Sequence, residues 1–314
     1  MLFMNFAREY PMNRVKKPFS GACTALITPF GEDGEVDRAA LWSLLERQIR
    51  MGIDAVLVLG TTGEASVLTE NERDELISLA AECVAGRVPL LVGAGSNSTD
   101  VTVKRVKSAA HRGADAVLLV TPYYNKTTPA GLVRHYTVCA DASPCPVILY
   151  NVPSRTGIDI PLSAYRALAS HPNIVGVKEA SGSIDRVADL CAEFGEDFGV
   201  WAGNDGEAVP VLSLGGRGVI SVVSNLFPRA VVRMCRAMEE GRGEEAASIQ
   251  LRLLPLIRAL FSEVNPIPVK AAAKMLGLSG DTVRLPLVPM DGEKRKELQI
   301  RLCAFSQAFG EDEP

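Results

Sequence analysis

The chain has 314 residues, with 33 lysines and arginines against 37 aspartates and glutamates, and a net charge of −4 at pH 7. This balance, without a block of like charges, argues against nucleic acid or an anionic membrane as the main partner. The aromatic content of 6% is low for a surface that stacks bases. No run approaches the ~18 apolar residues of a membrane span. The composition is therefore that of a globular protein with a large core.

Residues 1–18 are predicted to form a disordered N-terminal extension. The apolar residues Met1 to Met4 and Phe6 precede the charged ones, which is the reverse of the order in a secretory signal. We therefore expect a cytoplasmic protein, and Met12 is an alternative start.

The cysteines and histidines predict neither disulfides nor a metal site. The seven cysteines are scattered and contain no Cys-x-x-Cys pair, which is typical of free thiols in a reducing compartment. The three histidines are far apart and lack the spacing of metal ligands.

Short apolar runs recur along the first three quarters of the chain, separated by amphipathic stretches such as 38–51 and 70–84, the second with Thr69 as its N-cap. The runs are continuous rather than alternating, which is typical of parallel strands buried on both faces. They cover residues 23–28, 55–60, 89–93, 116–121, 146–150, 174–178, 200–203 and 218–223.

Eight strand–helix repeats predict an α/β protein with a closed (β/α)8 TIM barrel over residues 19–240. The alternative is a doubly wound open sheet. Its phosphate-binding fingerprint is incomplete, because Ser98 stands where the third glycine should follow Gly93 and Gly95.

Residues 241–314 are predicted to form a C-terminal helical appendage for packing or oligomerisation. Apolar residues recur there at helical spacing, and three helices are expected over 244–261, 266–276 and 292–309.

Lys178 is the most informative polar residue, because it ends the sixth apolar run, at the barrel edge where the chemistry of this fold is placed. A charged ammonium costs several kcal/mol to bury, so this setting favours the neutral amine that forms a Schiff base with a carbonyl substrate. A lysine that extends to the barrel rim is the alternative. No other lysine in the sequence has this setting.

Polar residues follow the neighbouring runs at the same edge. Tyr150 ends the fifth run and can exchange protons with a bound substrate, although a packed tyrosine is the alternative. Arg155, in the next loop, suits a carboxylate, unless it is only a solvated loop charge. The loop Gly60–Glu64 offers hydroxyls and amides to an anion, or is only a turn. Adjacent Tyr123 and Tyr124 cannot both enter one pocket, so one of them is free to face another subunit.

Five motifs, in this order, give the chain a resemblance to the dihydrodipicolinate synthase family, within the class I pyruvate aldolase superfamily that includes N-acetylneuraminate lyase. The resemblance runs from about Phe19 to the last helix. Its motifs are Gly60-Thr61-Thr62-Gly63-Glu64, Thr121-Pro122-Tyr123-Tyr124-Asn125, Tyr150-Asn151-Val152-Pro153-Ser154-Arg155-Thr156-Gly157, Val177-Lys178-Glu179-Ala180-Ser181 and Asn265-Pro266-Ile267-Pro268-Val269-Lys270.

The resemblance implies a lyase that condenses pyruvate with L-aspartate 4-semialdehyde to 4-hydroxy-tetrahydrodipicolinate, in lysine and diaminopimelate biosynthesis. Lys178 resembles the Schiff-base lysine, and Tyr150, Thr61 and Tyr124 resemble the proton relay, with Tyr124 reaching the neighbouring subunit's pocket. The covalent imine on Lys178 replaces any cofactor or metal.

The resemblance also implies the residues that bind substrate. Thr62 resembles the ligand of the pyruvate carboxylate, Arg155 that of the semialdehyde carboxylate, and Gly203 and Ile220 resemble pocket positions. The implied assembly is a homotetramer, a dimer of dimers.

Arg155 favours the synthase, because the resemblance implies that the neuraminate lyases and hydroxy-oxoglutarate aldolases of the superfamily lack an arginine at this point. A pyruvate-dependent aldolase that acts on a sugar acid or a 4-hydroxy-2-oxo acid is the alternative enzyme. A catalytically silent barrel that binds small molecules is the alternative of another class.

The chain departs from the family pattern at the site where lysine binds and inhibits some members. Asn97 and Tyr123 match that site, but Glu70 and Arg73 replace its two histidines, and Val101 replaces its glutamate. We therefore expect weak or absent inhibition by lysine.

Overall fold

Eight parallel strands close into a barrel in the computed structural model, which describes residues 18–309. Each strand bonds to the next in chain order, and the last bonds to the first. This confirms the predicted (β/α)8 barrel. The strands are β1 (Gly21–Ala25), β2 (Ala55–Val58), β3 (Leu90–Gly93), β4 (Ala116–Val120), β5 (Val147–Asn151), β6 (Ile174–Glu179), β7 (Gly199–Ala202) and β8 (Gly218–Ser221).

Helices connect the strands and continue beyond the barrel. They are α1 (Arg38–Arg50), α2 (Glu70–Val84), α3 (Thr99–His111), α4 (Pro129–Ala142), α5 (Pro153–Thr156), α6 (Leu162–Leu168), α7 (Ile184–Phe194), α8 (Ala208–Ser213), α9 (Pro228–Glu239), α10 (Gly243–Leu260), α11 (Ile267–Met275) and α12 (Gly292–Phe309). The bounds predicted for α2 and α12 agree with the structure. Those of α1 differ by one residue at its C-terminal end, and those of α10 and α11 by one residue at each end. The predicted N-cap Thr69 accepts from the Glu72 amide. Within residues 18–309, every helix is too short or too polar to cross a bilayer.

The first strand begins and ends earlier than its apolar run predicts. Gly21 already bonds to Arg217 of the segment before β8, with 2.8 Å between its amide nitrogen and the carbonyl oxygen. At the other end, the Ile27 amide donates to Asn225 Oδ1 at 3.0 Å instead of to a neighbouring strand. A side chain therefore ends the sheet where the apolar run continues.

Two aromatic rings close the end of the barrel opposite to the Thr61 loop. Phe19 stacks on Trp201 with 5.2 Å between ring centroids, and both are buried. Glycines make room for the indole, since a Cβ at Gly176 or Gly199 would lie 2.6 Å from its ring atoms. Side chains of the described residues therefore fill the interior of the barrel at this end.

The C-terminal helices pack on the outside of the barrel, with α10 against α9 and α12. Phe305 of α12 meets Phe227 before α9, with 4.6 Å between ring centroids. This confirms the helical appendage, whereas the division of the chain at residue 240 stays a prediction. The predicted extension at 1–18 lies outside the described residues apart from Pro18. All seven cysteines are free.

Candidate active site

The strand register brings Lys178 and Tyr150 together at the open end of the barrel. The two residues are paired neighbours on β6 and β5. Lys178 Nζ lies 4.5 Å from the centroid of the Tyr150 ring. Both side chains are buried, with 5% of Lys178 and 7% of Tyr150 exposed. An amine and a phenol therefore share one small space, as a Schiff-base lysine with a proton donor requires.

A buried carboxylate and a buried thiol lie within electrostatic reach of this lysine. Burial raises the pKa of Asp205, opposed by hydrogen bonds that include those from the Val222 and Val223 amides at 2.9 and 3.1 Å, and by the Lys178 charge. Burial also raises the pKa of Cys23 above its usual range, again against the Lys178 charge. The sequence analysis missed Asp205, which lies just beyond β7 and carries no distinguishing motif.

The residues that follow Tyr150 on β5 and Lys178 on β6 hold these two strands together on the outer face of the barrel. Strand alternation turns Asn151 and Glu179 to the opposite face, where Asn151 Nδ2 donates to both carboxylate oxygens of Glu179 at 3.1 Å. The Tyr165 hydroxyl and the Ser181 amide also donate to Glu179, at 3.2 and 2.7 Å. Burial raises the pKa of Glu179, and the hydrogen bonds oppose that rise. This network holds β5 and β6 in register beneath Tyr150 and Lys178.

A cavity of about 250 Å³ opens above the pair. Its wall includes Tyr150, Thr61 from the loop after β2, and Arg155 from α5, so the structure brings these three predicted residues together. Lys178 is not part of that wall and lies against the ring of Tyr150. The cavity is large enough for a small oxo acid, and its lining includes the cations Arg73, Arg105 and Arg155, of which Arg155 is exposed.

Thr62 and Arg155 are both held by a residue that the sequence analysis left without a role. Asn265 Nδ2 donates to Thr62 Oγ1 at 2.9 Å. The Asn265 carbonyl accepts from Arg155 Nη2 at 3.3 Å. The signal was its place at the head of the Asn-Pro-Ile-Pro-Val-Lys motif. The C-terminal appendage, expected to serve packing or oligomerisation, therefore also contacts the site.

Gly203 and Ile220 lie in the packed barrel rather than on the cavity wall. The Gly203 amide donates to the Glu179 carbonyl at 2.7 Å, and a Cβ there would come within 2.6 Å of the Ala180 Cβ. Ile220 is fully buried in the same core cluster as Tyr150. Neither residue therefore lines the cavity, and the contacts of both are with the packed strands around them.

Tyr124 is the one predicted catalytic residue that stands apart from the others within this chain. Its side chain is 89% exposed and its φ is +68°, while the adjacent Tyr123 lines the cavity. The expectation that the two tyrosines point to different places is confirmed. A positive φ is uncommon for an aromatic residue and projects this ring outwards.

A second buried lysine was not expected from the sequence. Lys270 of α11 is fully buried, although it lies within a helix and not at the end of a barrel strand as Lys178 does. Glu64 meets its charge, with 2.5 Å between Nζ and Oε1. The helical pattern of α11 gave no sign of this, because the partner is 206 residues away along the chain.

Residues 18–304 match the model of the Dihydrodipicolinate synthetase family. The chain belongs to this family. The match confirms the family resemblance and the prediction that the chain is a lyase of this class.

Individual members of the family are similar over nearly the whole chain. A 4-hydroxy-tetrahydrodipicolinate synthase from Alkaliphilus oremlandii is 47% identical over 280 residues, which are 89% of this chain and 96% of that protein. The solved structure of that synthase from Methylacidiphilum fumariolicum SolV is 43% identical, with a TM-score of 0.89, over 91% of this chain and 95% of that one. A chloride-inhibited dihydrodipicolinate synthase from Acinetobacter baumannii, whose structure was solved with pyruvate, is 39% identical with a TM-score of 0.90. The match covers 91% of this chain and 98% of that one.

Proposed function

We propose that this protein joins pyruvate to L-aspartate 4-semialdehyde and forms 4-hydroxy-tetrahydrodipicolinate, a step of lysine and diaminopimelate biosynthesis. The observation that carries the proposal is the buried amine of Lys178 against the ring of Tyr150 beneath a cavity with an arginine at its mouth. The pyruvate bound by the Acinetobacter baumannii relative supports the first substrate. The location that we propose for this biosynthetic step is the cytoplasm.

Lys178 is the nucleophile. Its neutral amine adds to the keto carbon of pyruvate, water leaves, and an imine forms. Loss of a proton from the methyl carbon gives an enamine, whose carbon attacks the aldehyde while the aldehyde oxygen takes up a proton. The amine of the second substrate then attacks the imine carbon, closes the ring and releases Lys178. The imine itself takes up the electron pair, so the proposed reaction uses no cofactor.

Tyr150 and Thr61 move the protons of these steps. The Tyr150 phenol lies beside the amine, where it can protonate the departing hydroxyl and accept protons in return. Thr61 lines the same cavity and extends the path towards its mouth. Tyr124 completes the relay from the partner subunit, which agrees with its exposure in the single chain. The assembly that we propose is a homotetramer built from two such dimers.

Two carboxylates are bound at different depths. Thr62, fixed by Asn265, holds the pyruvate carboxylate near the floor of the site. Arg155, at the mouth, pairs with the carboxylate of the semialdehyde through its planar guanidinium. Gly203 and Ile220 shape the space around the reacting carbons.

Lysine inhibits this enzyme weakly or not at all. The Arg73 guanidinium is buried and already donates to the Ala65 and Gly93 carbonyls, at 3.1 and 2.6 Å. Glu70 is paired with Arg105, with 2.5 Å between oxygen and nitrogen. Both charges thus have partners within the chain, and Val101 offers no carboxylate to an ammonium group. Full inhibition at low lysine concentration would contradict this proposal.

The test is pyruvate-dependent consumption of aspartate 4-semialdehyde, with Lys178→Ala as the control. We expect turnover in the native enzyme and none in the variant. Borohydride in the presence of pyruvate should reduce the imine and label Lys178. If Lys178 is labelled but aspartate 4-semialdehyde is not consumed, the enzyme is instead an aldolase that acts on a sugar acid or a 4-hydroxy-2-oxo acid. If there is neither labelling nor turnover, the protein is a catalytically silent barrel.

A further inference from the structure

The loop that carries Thr61 and Thr62 ends in a residue with unusual backbone geometry. Glu64 follows the short helical turn Thr61–Gly63 in the left-handed region, with φ +53° and ψ +34°. A residue with a Cβ adopts this conformation at a cost and stays there only when its surroundings hold it. The side chain of Glu64 is 1% exposed, so its contacts in the interior must supply that hold.

Two groups from the C-terminal region bind the Glu64 carboxylate. The Lys270 ammonium lies 2.5 Å from Oε1, and the Arg284 amide donates to Oε2 at 3.0 Å. Lys270 is itself fully buried and lies over the Phe30 ring, 4.1 Å from its centroid. Each charge of this pair is therefore removed from water and satisfied by the other.

The same C-terminal segment contacts the loop a second time. Asn265 lies five residues before Lys270 and donates to Thr62 Oγ1 at 2.9 Å. Thr62 and Glu64 are two residues apart, so the C-terminal segment contacts both ends of the three-residue span 62–64. A shift of α11 or of Glu64 would move the Thr62 hydroxyl.

We propose that the Glu64–Lys270 ion pair is a positioning device that sets the Thr61-Thr62 loop for pyruvate, and that both residues are positioning residues of the reaction. Neither touches the reacting atoms. The pair fixes the left-handed turn at Glu64, and the turn fixes the hydroxyl of Thr62. The inference rests on the proposed function in one respect, namely that Thr62 holds the carboxylate of pyruvate.

The test measures how the labelling of Lys178 by pyruvate and borohydride depends on pyruvate concentration. In Lys270→Met we expect half-maximal labelling to need at least about tenfold more pyruvate, because a displaced ligand binds less well, while labelling at saturation still reaches completion. A merely structural role would lower the fraction of labelled protein without shifting the midpoint. Lys274→Met is the matched control, since it removes an exposed ion pair with Asp281 from the same helix.

A second variant separates position from stability. Glu64→Gln with Lys270→Met removes both buried charges, and neutral replacements of a buried pair are often well tolerated. We expect this variant to melt near the native temperature and still to show the raised midpoint. A native midpoint in a folded variant of either kind would overturn the inference. Absence of labelling in the native enzyme would instead overturn the proposed function.

Discussion

At the scale of single residues, two buried lysines show how their surroundings decide what an amine does. Lys270 is fully buried and paired with Glu64; burial lowers its pKa and the carboxylate opposes that fall. Within residues 18–309, Lys178 has no ion-pair partner, although Asp205 lies within electrostatic reach. The paired lysine is committed to structure, whereas the amine of Lys178 lies against the Tyr150 ring, where we propose that it reacts with substrate.

Tyr150→Phe tests the phenol beside Lys178. We expect kcat to fall by about 10²- to 10⁴-fold, because the variant keeps the ring and loses the proton donor. The fold should be unaffected. Steady-state rates measure the effect, and Tyr136→Phe, which removes a buried hydroxyl bonded to the Leu119 carbonyl at 3.4 Å, is the control. Equal losses in the two variants would assign the effect to packing.

The cysteines are expected to differ in reactivity with their burial. Cys303 is exposed and Cys191 half-buried, while the other five are buried. Burial raises the pKa of Cys83 and Cys139 to about 12, so these thiols carry almost no thiolate at pH 7. A disulfide reagent should modify Cys303 first and the buried thiols only on unfolding. Cys303→Ser should remove the fast phase, and a persisting fast phase would contradict the assignment.

At the scale of elements, contacts of Glu72 near the start of α2 attach the barrel to the segment that precedes α12. The Thr69 amide donates to Glu72 Oε2 at 2.8 Å, while the Arg284 guanidinium binds the other carboxylate oxygen. The hydrogen bond from Arg284 is the main cause that lowers the pKa of Glu72 to about 2. One carboxylate thus caps a helix and attaches the C-terminal region to it.

Glu72→Gln should therefore destabilise the fold in a pH-dependent way. The pKa of Glu72 is about 2 in the folded chain, compared with 4.5 for an unperturbed glutamate. Its contribution is thus complete above pH 4.5 and is lost as pH falls towards 2. We expect a deficit of about 1 kcal/mol at pH 7, because the pair is partly exposed. Urea unfolding from pH 7 to 3 measures it, with Glu82→Gln as control, and a deficit that stays constant would contradict the prediction.

The elements themselves were largely predictable because their signals are local. Runs of branched apolar residues gave all eight strands, with ends shifted by up to three residues. The largest shift, in β1, arose because Asn225 takes over the hydrogen bonds of its last residues. Lys178 and Tyr150 were also predictable, because adjacent parallel strands end at one edge.

The support around the site was not predictable in this way. Asn265 meets Thr62 across 203 residues, and Lys270 meets Glu64 across 206. Such pairs form only once the barrel has closed and α11 has packed on it. Nothing in the periodicity of a helix reports a contact of that length, so a lysine there is indistinguishable from a surface lysine.

At the scale of the whole molecule, the exposed Tyr124 predicts sites shared between subunits. In the proposed dimer, Lys178→Ala and Tyr124→Phe remove groups that belong to one site but come from different chains. When the two inactive variants are unfolded and refolded together, random pairing should restore about a quarter of the native sites. Activity after joint refolding measures this, and each variant refolded alone is the control. Activity equal to the mean of the two variants refolded alone would place Tyr124 in the site of its own subunit.

The stacked rings of Phe19 and Trp201 have a consequence for the route by which substrates enter the barrel. With that end filled by the described residues, we expect both substrates to reach Lys178 from the end of the barrel where the cavity and Arg155 lie. The proposed chemistry then sets their order, because an aldehyde that arrives before pyruvate finds no enamine to react with. We therefore expect pyruvate to occupy the deeper position and the aldehyde to bind above it.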